Sequence, residues 1–402
     1  MNSACPALSP AAPPVQATTP RALVLLFAVA SGLSVANVYY AQPLLDALAR
    51  DFAISSSAVG GVITATQLGC GLSLLFLVPL GDRLDRRRLL LAQLLALVVA
   101  LATVALASNT GLLLLGMLAI GLLGTAMTQG LIALAASTAS VAEQGRVVGT
   151  AQSGVFIGLL LARAYAGTVS DLGGWRSVYA LAALLMLALA WLLWRRLPNS
   201  KGQTTNISYR QLLVSMLGLL RHDRMLHTRG MLALFMFAAL NIFWSALVLP
   251  LSAPPYGFSH SQIGAFGLVG VVGALAAFRA GAWADRGFAQ RTSGVALLVL
   301  LLAWAPLALM GQSLWALVLG IILLDLGGQA LHVTNQSLIL RNHADAPGRL
   351  IGLYMLFYAV GSGIGALAST LTFAHFGWYG VCLLGAAVCL LALIFWASTR
   401  AR

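Results

Sequence analysis

Apolar residues run along this chain in long unbroken stretches, with polar residues gathered in short breaks between them. A helix needs roughly 20 apolar residues to cross a bilayer core of roughly 30 Å. About twelve stretches approach or exceed that length, near 22–46, 57–80, 89–108, 111–136, 146–169, 177–194, 230–251, 262–281, 292–311, 313–338, 350–373 and 378–397. They are numbered here as spans 1 to 12. The runs are continuous rather than alternating, which excludes a membrane β-barrel. The pattern predicts an all-α integral membrane protein.

A short signature then recurs. Asp82-Arg83 follows span 2 and Asp285-Arg286 follows span 8, and 285 minus 82 gives an offset of 203 residues. The same offset pairs Gly145-Arg146 with Gly348-Arg349, Gly149 with Gly352, Gly158 with Gly361, and Trp175 with Trp378. A fixed offset held this long implies duplication into two pseudo-symmetric six-helix bundles, a common transporter plan. The expected units are a Pro- and Ala-rich tail over 1–20, a first bundle over 21–194, a polar linker over 195–229 and a second bundle over 230–402. Within the linker, Leu212, Leu213, Met216, Leu219 and Leu220 recur at helical spacing. They predict an amphipathic helix, lying on the membrane surface or packed against the bundle.

Composition agrees: 60% of residues are hydrophobic and 8% charged, against about 25% charged in a soluble domain. The net charge of +13 does not mark a nucleic-acid binder, because the arginines cluster on one side. Arg83, Arg86, Arg87, Arg88, Arg146, Arg195, Arg196, Arg221, Arg224, Arg229, Arg286 and Arg349 share that side, while Arg50, Arg163 and Arg176 lie towards the other. The positive-inside rule then places both termini in the cytoplasm. Cys5, Cys70, Cys382 and Cys389 have no disulfide or metal spacing. The six histidines are scattered, so neither a metal site nor a catalytic cluster is expected. No phosphate-binding G-x-x-x-x-G-K-[ST] loop is present, and no cofactor is expected.

The loop after span 2 reads Val78-Pro79-Leu80-Gly81-Asp82-Arg83-Leu84-Asp85-Arg86-Arg87-Arg88. It resembles the G-x-x-x-D-R-x-G-R-R pattern of the major facilitator superfamily, with Val78 and Asp85 in place of the two glycines. The second copy, Gly281 to Gly287, keeps the first glycine but loses the paired basic residues. The resemblance covers nearly the whole chain. It implies that Asp82, Arg83, Arg86, Asp285 and Arg286 form a cytoplasmic latch between the halves. The run Asn37-Val38-Tyr39-Tyr40-Ala41-Gln42-Pro43 resembles a bacterial, drug-exporter-like subgroup. That points to a multi-pass protein of the bacterial inner membrane, expected as a monomer.

Asp325 lies about 12 residues into span 10, roughly 18 Å along the helix at 1.5 Å per residue. That depth is near the membrane midplane, where a short carboxylate must be neutral, paired or wet. Such a group suits proton coupling, with a hydrogen bond from Tyr354 or Tyr358 as the structural alternative. Gln329, His332 and Gln336 follow on the same helical stripe, which adds His332 to the proton candidates. Asn37, Tyr40, Gln129, Arg163, Asn241, Trp244 and Gln329 are the expected substrate cavity. Arg163 also has a plain reading as an outer-end arginine that snorkels to water. Asp46, Arg50 and Asp51 read as solvated at the outer mouth. On span 5, Gly149, Gly154 and Gly158 form a small-residue face. In proton antiporters of the superfamily a proline follows the middle glycine; here Val155 stands there. The expected function is proton-coupled export of a small, amphiphilic molecule across the bilayer. The alternative is proton-coupled uptake of a small anion or metabolite, with Arg163 as docking charge.

Overall fold

The structure, a computed structural model, describes residues 19–140, 143–197, 208–271, 283–342 and 347–400. Among the described residues it is all helical, and nine helices are long and apolar enough to cross a bilayer. The last of these, Gly348–Thr399, is two spans joined at a break. Span 1 is a shorter helix, Arg21–Ala36, continued by Gln42–Leu44 and Leu45–Asp51. Span 8 is described only over its first part, His260–Val269. The remainder of span 8, including Gly281, and most of the expected tail lie outside the described residues. Thr19, within the stretch expected as a tail, is held by the Glu143 carboxylate, which accepts from its backbone N–H at 2.8 Å.

Short polar residues start the helices where the sequence breaks. Asp85 accepts from the Arg88 N–H and caps Arg86–Ala105. This gives the aspartate that replaces the family glycine a local role. Asn109 caps Thr110–Thr138 in the same way, and Ser208 and Ser259 each build a capping box. The duplication is written in the backbone too. Gly174 and Gly377, again 203 apart, have φ of 80° and 62° and turn the chain into spans 6 and 12. Residues with a side chain rarely adopt those angles.

Span 1 packs on span 5, span 2 on span 4 and span 3 on span 6; in the second half, span 7 packs on span 11 and span 9 on span 10. Close approach comes from small residues, as expected where lipid tails give no hydrophobic drive between helices. A Cβ on Gly158 would collide with the Gly32 carbonyl, and one on its partner Gly361 with the Leu234 carbonyl. Leucines such as Leu68, Leu115 and Leu302 point outwards and are exposed, as a lipid-facing surface requires. Cys70, Cys382 and Cys389 are buried and free.

The linker helix, Tyr209–His222, packs one face against the bundle. Leu212 and Met216 are buried, and Met216 packs with Leu226, Leu350 and Tyr354, while Val214 and Leu217 are exposed. Its Ser215 accepts from Arg349 at 2.9 Å, and Tyr209 donates to the Phe76 carbonyl at 2.9 Å. One face is therefore packed against both halves.

Two seams join the halves: span 2 with span 11, and span 5 with span 8. The end that carries the linker is called the inner end, and the opposite end the outer one. At the outer end the seams are closed. At the inner end a cavity of about 790 Å³ lies between the halves, lined by Pro79, Leu90, Gln129, Gly145, Met216 and Gly352 among others.

Candidate functional site

The centre of the molecule holds a polar cluster drawn from both halves. Arg163 of span 5 is 6% exposed. Its Nε donates to Gln42 Oε1 at 2.8 Å, and its guanidinium lies 3.9 Å from the centroid of the Trp244 ring. Gln42 donates in turn to Asn241 Oδ1 at 3.2 Å, and Asn241 donates to Ser362 Oγ at 2.9 Å. A continuous chain of hydrogen bonds thus runs from span 5 through the end of span 1 to spans 7 and 11. Beside it, the Tyr39 and Tyr358 hydroxyls meet at 2.6 Å, and Gln67 donates to Tyr358 at 3.4 Å.

Asp325 enters this cluster from span 10. It is half-buried, within hydrogen-bonding reach of Trp244 and in the field of Arg163. A Cβ on Gly270 of span 8 would meet its Oδ2, so glycine leaves the room the carboxylate occupies. Its partners are therefore not the tyrosines that helix spacing suggests. Tyr354 pairs with His332 Nδ1 at 3.0 Å, and Tyr358 with Tyr39. Arg163 does not snorkel. It turns inward, where Gln42, Trp244 and Tyr39 surround it and the Asp325 charge opposes it.

The other expected cavity residues divide. Asn241 and Trp244 belong to the cluster, and Gln129 lines the inner cavity. Gln329 follows Asp325 on span 10, and its Oε1 is buried with no donor among the described residues. Asn37 and Tyr40 are not brought to the cluster. Asn37 donates to the Leu33 carbonyl of its own helix and to Met186 of span 6. Tyr40 packs against Tyr165 and Tyr179 inside the first half. The reason is helical phase: span 1 unwinds after Ala36, so Tyr39 and Gln42 face the second half instead. His332 lies about two turns beyond Asp325 on span 10, between Tyr354, Phe237 and Gln336.

In the expected latch, the Asp82 and Asp285 side chains lie outside the described residues. Arg83 and Arg286 are exposed. Arg86 donates to the carbonyls of Gly81 and Ala133 at 3.2 Å each, which staples the loop to span 4.

At the outer mouth Arg50 and Asp51 are exposed, as expected, but Asp46 belongs to a built cluster. Asp46 is 7% exposed. It accepts from His260 Nε2 at 2.9 Å and pairs with Arg50 at 3.0 Å. Asp171 of span 5 faces the other ring nitrogen of His260 at 3.4 Å and accepts the backbone N–H groups of His260 and Ser261 at 3.1 and 2.8 Å. His260 is the first residue of its helix, where exposed N–H groups favour an anion. The Asp46 carboxylate beside it raises the His260 pKa above the ordinary histidine value. Spacing carries no signal for this group, because its members lie 46, 171 and 260 residues along the chain.

The described residues contain no group of histidines, cysteines and acids able to hold a metal. What the centre offers is one cation, one anion, an indole between them and neutral hydrogen-bonding groups, split across two bodies that meet at two seams.

Comparison with known proteins agrees with that geometry. "Uncharacterized transporter YgaY" of Escherichia coli O157:H7 is 44% identical over 375 residues, covering 93% of this chain and 95% of the relative. "Purine ribonucleoside efflux pump NepI" of Salmonella paratyphi B is 28% identical over 240 residues, 57% of each chain. Among solved structures, a bacterial homologue of the human lysosomal transporter Spinster, inward-facing and unoccupied, superposes with a TM-score of 0.74 at 14% identity over 94% of this chain and 95% of that one. The human organic anion transporter MFSD10 gives 0.67 at 19% identity over 94% and 99%. The family model described as Major Facilitator Superfamily matches residues 25–343 and 230–402. The chain is a multi-pass membrane transporter and belongs to the Major Facilitator Superfamily.

Proposed function

We propose that the chain is a secondary active transporter that exports a small, amphiphilic molecule in exchange for protons. The observation that carries this is the Asp325–Trp244–Arg163 group, with its acid and its base on opposite halves. Arg163 keeps its charge at any working pH, and a buried cation without an anion is costly by several kcal/mol. Ionised Asp325 offsets that charge and favours the two halves together. A proton on Asp325 removes the offset and frees the halves to rock, with substrate seated on Trp244, Gln129 and Gln329. Partial exposure of Asp325 gives protons a route. The efflux name of one relative supports the outward direction. The bacterial inner membrane, with cytoplasmic termini, is the setting this reading requires, and Asp82 and Asp285 are its inner latch.

The burial of Arg163 at the centre favours one second reading: proton-coupled uptake of a small anion or metabolite, with the guanidinium as docking charge. Everted vesicles separate the two. For proton exchange, adding substrate collapses a preset pH gradient, and Asp325→Asn cuts that flux about tenfold or more, a loss of about 1.4 kcal/mol. Undiminished flux in Asp325→Asn removes Asp325 from the proton path. Entry of substrate into whole cells down the proton gradient reverses the direction.

A further inference from the structure

Near the inner end of span 7, Arg229 is 2% exposed. Among the described residues it meets no carboxylate: its NH1 donates to Ser293 Oγ at 3.1 Å and to Asn335 Oδ1 at 3.5 Å, both neutral. Its Nε and the Asn335 Nδ2 are buried with no acceptor among the described residues. A guanidinium has five N–H donors and a permanent charge, and burial without an anion penalises it. The fold does not require a cation there. The offset of 203 places Leu26 at the matching position of span 1, where it packs in the core.

Beside Arg229 opens a cavity of about 480 Å³, lined also by Arg224, His222, Asp223, Gln290 and Arg400. Three arginines thus face one aspartate, which also accepts from the Leu226 N–H as a helix cap. Trp396 forms the wall towards span 12, with Arg400 5.3 Å from its ring centroid and Gln290 accepting its indole N–H at 3.3 Å. A tryptophan beside arginines at a span end marks the membrane interface. The cavity shares no lining residue with the one between the halves, so it lies off the path of the transported molecule.

We propose that this pocket binds a phosphate-bearing anion, held by Arg229 at its base and by Arg224 and Arg400 at its rim. Arginine forks match phosphate oxygens. Basic pockets between spans at an interface are known to take anionic lipid headgroups, and free phosphate offers the same chemistry from solution. The bound anion ties the end of the linker helix to spans 7, 9 and 12. The inference is independent of the substrate and direction of transport.

Thermal unfolding of the purified full chain, delipidated in a maltoside detergent, tests it. Added phosphatidylglycerol, and separately inorganic phosphate against chloride at equal ionic strength, are the two probes. An upward shift of about 2 °C or more is expected from ligand linkage. A shift with phosphate alone names a solution anion, and a shift only with the lipid names a headgroup; both support the site. Arg229→Leu, which copies the residue at the matching position of span 1, is expected to fold and lose the shift. Arg224→Gln with Arg400→Gln carries the test should Arg229→Leu fail to fold, and is expected to reduce the shift by at least about half. No shift with either probe, or a full shift in the variants, overturns the proposal.

Discussion

The two seams that close the outer end occupy related places in the duplicated fold but are made of different chemistry. Where span 2 meets span 11, the contacts are neutral. Thr370 Oγ accepts from the Gly60 N–H at 3.2 Å and donates to the Ser57 carbonyl at 3.1 Å, and Thr64 donates to the Gly363 carbonyl at 2.8 Å. Where span 5 meets span 8, the contacts are charged: Asp171 and Asp46 hold His260. The offset of 203 pairs Ser57 with His260 and Gly167 with Thr370. The same two positions thus carry Ser57 and Thr370 on the hydroxyl seam and His260 and Gly167 on the ionic one. Duplication supplies the geometry, and only one of the two seams carries titratable groups among the contacts named. The same asymmetry sits in the centre, where Asp325 and Arg163 correspond to Leu122 and Ala366.

The largest expected effect treats both seams alike. A Cβ on Gly60 would collide with the Ala366 carbonyl, and one on Gly167 with the His260 carbonyl. Gly60→Val and Gly167→Val should each oppose outer closure by about 1–3 kcal/mol, typical of overpacking. Spin labels at Ser55 and Ala253 should then show the outer end opened in both. If only one variant opens, the seams do not close together. Comparable in size, His260→Ala removes the bonds that tie Asp46 to the second half. Hydrogen bonds to charged groups contribute about 1.5–3 kcal/mol, so the open population should rise about tenfold or more.

The pH dependence of that population separates the seams directly. His260 has its pKa raised in the closed state by Asp46. Its contribution to closure is therefore complete below the ordinary histidine value of 6.5 and is lost as pH rises through the raised value. The distance between the same labels should lengthen with rising pH in that window. In His260→Gln the lengthening across that window should be lost. A wild-type profile that is flat, or that opens towards acid, would sink the ionic seam as a pH-sensitive contact.

Much of this architecture is legible in the amino-acid order. Unbroken apolar runs can only be helices in lipid, and the glycine and tryptophan repeat at one offset reappears as matched turns at Gly174 and Gly377. Asp325 stands out because depth alone makes a carboxylate costly. Phase is what the order hides. Asn37 and Tyr40 sit in the same short run as Tyr39 and Gln42, and a turn after Ala36 sends the two pairs in different directions. Burial of Asp46 is hidden as well, because its partner His260 is 214 residues away. Arg229 reads as one more inner arginine, since charge counting does not distinguish a solvated cation from one sealed against Ser293.

The smallest effect belongs to the neutral seam. Thr370→Val keeps shape but removes one hydroxyl that bonds Gly60 and Ser57. A neutral hydrogen bond contributes about 0.5–1.5 kcal/mol net, so the open population should rise only about two- to tenfold. No titrating group takes part, so the rise should be equal at every pH, and the wild-type pH profile should move up without changing shape. In the double variant with His260→Ala the two losses should add, because the two residues bond to different partners and stand on separate seams. A pH-dependent effect of Thr370→Val would mean that the hydroxyl seam senses the charge on His260. The halves would then close as one coupled surface rather than along two independent seams.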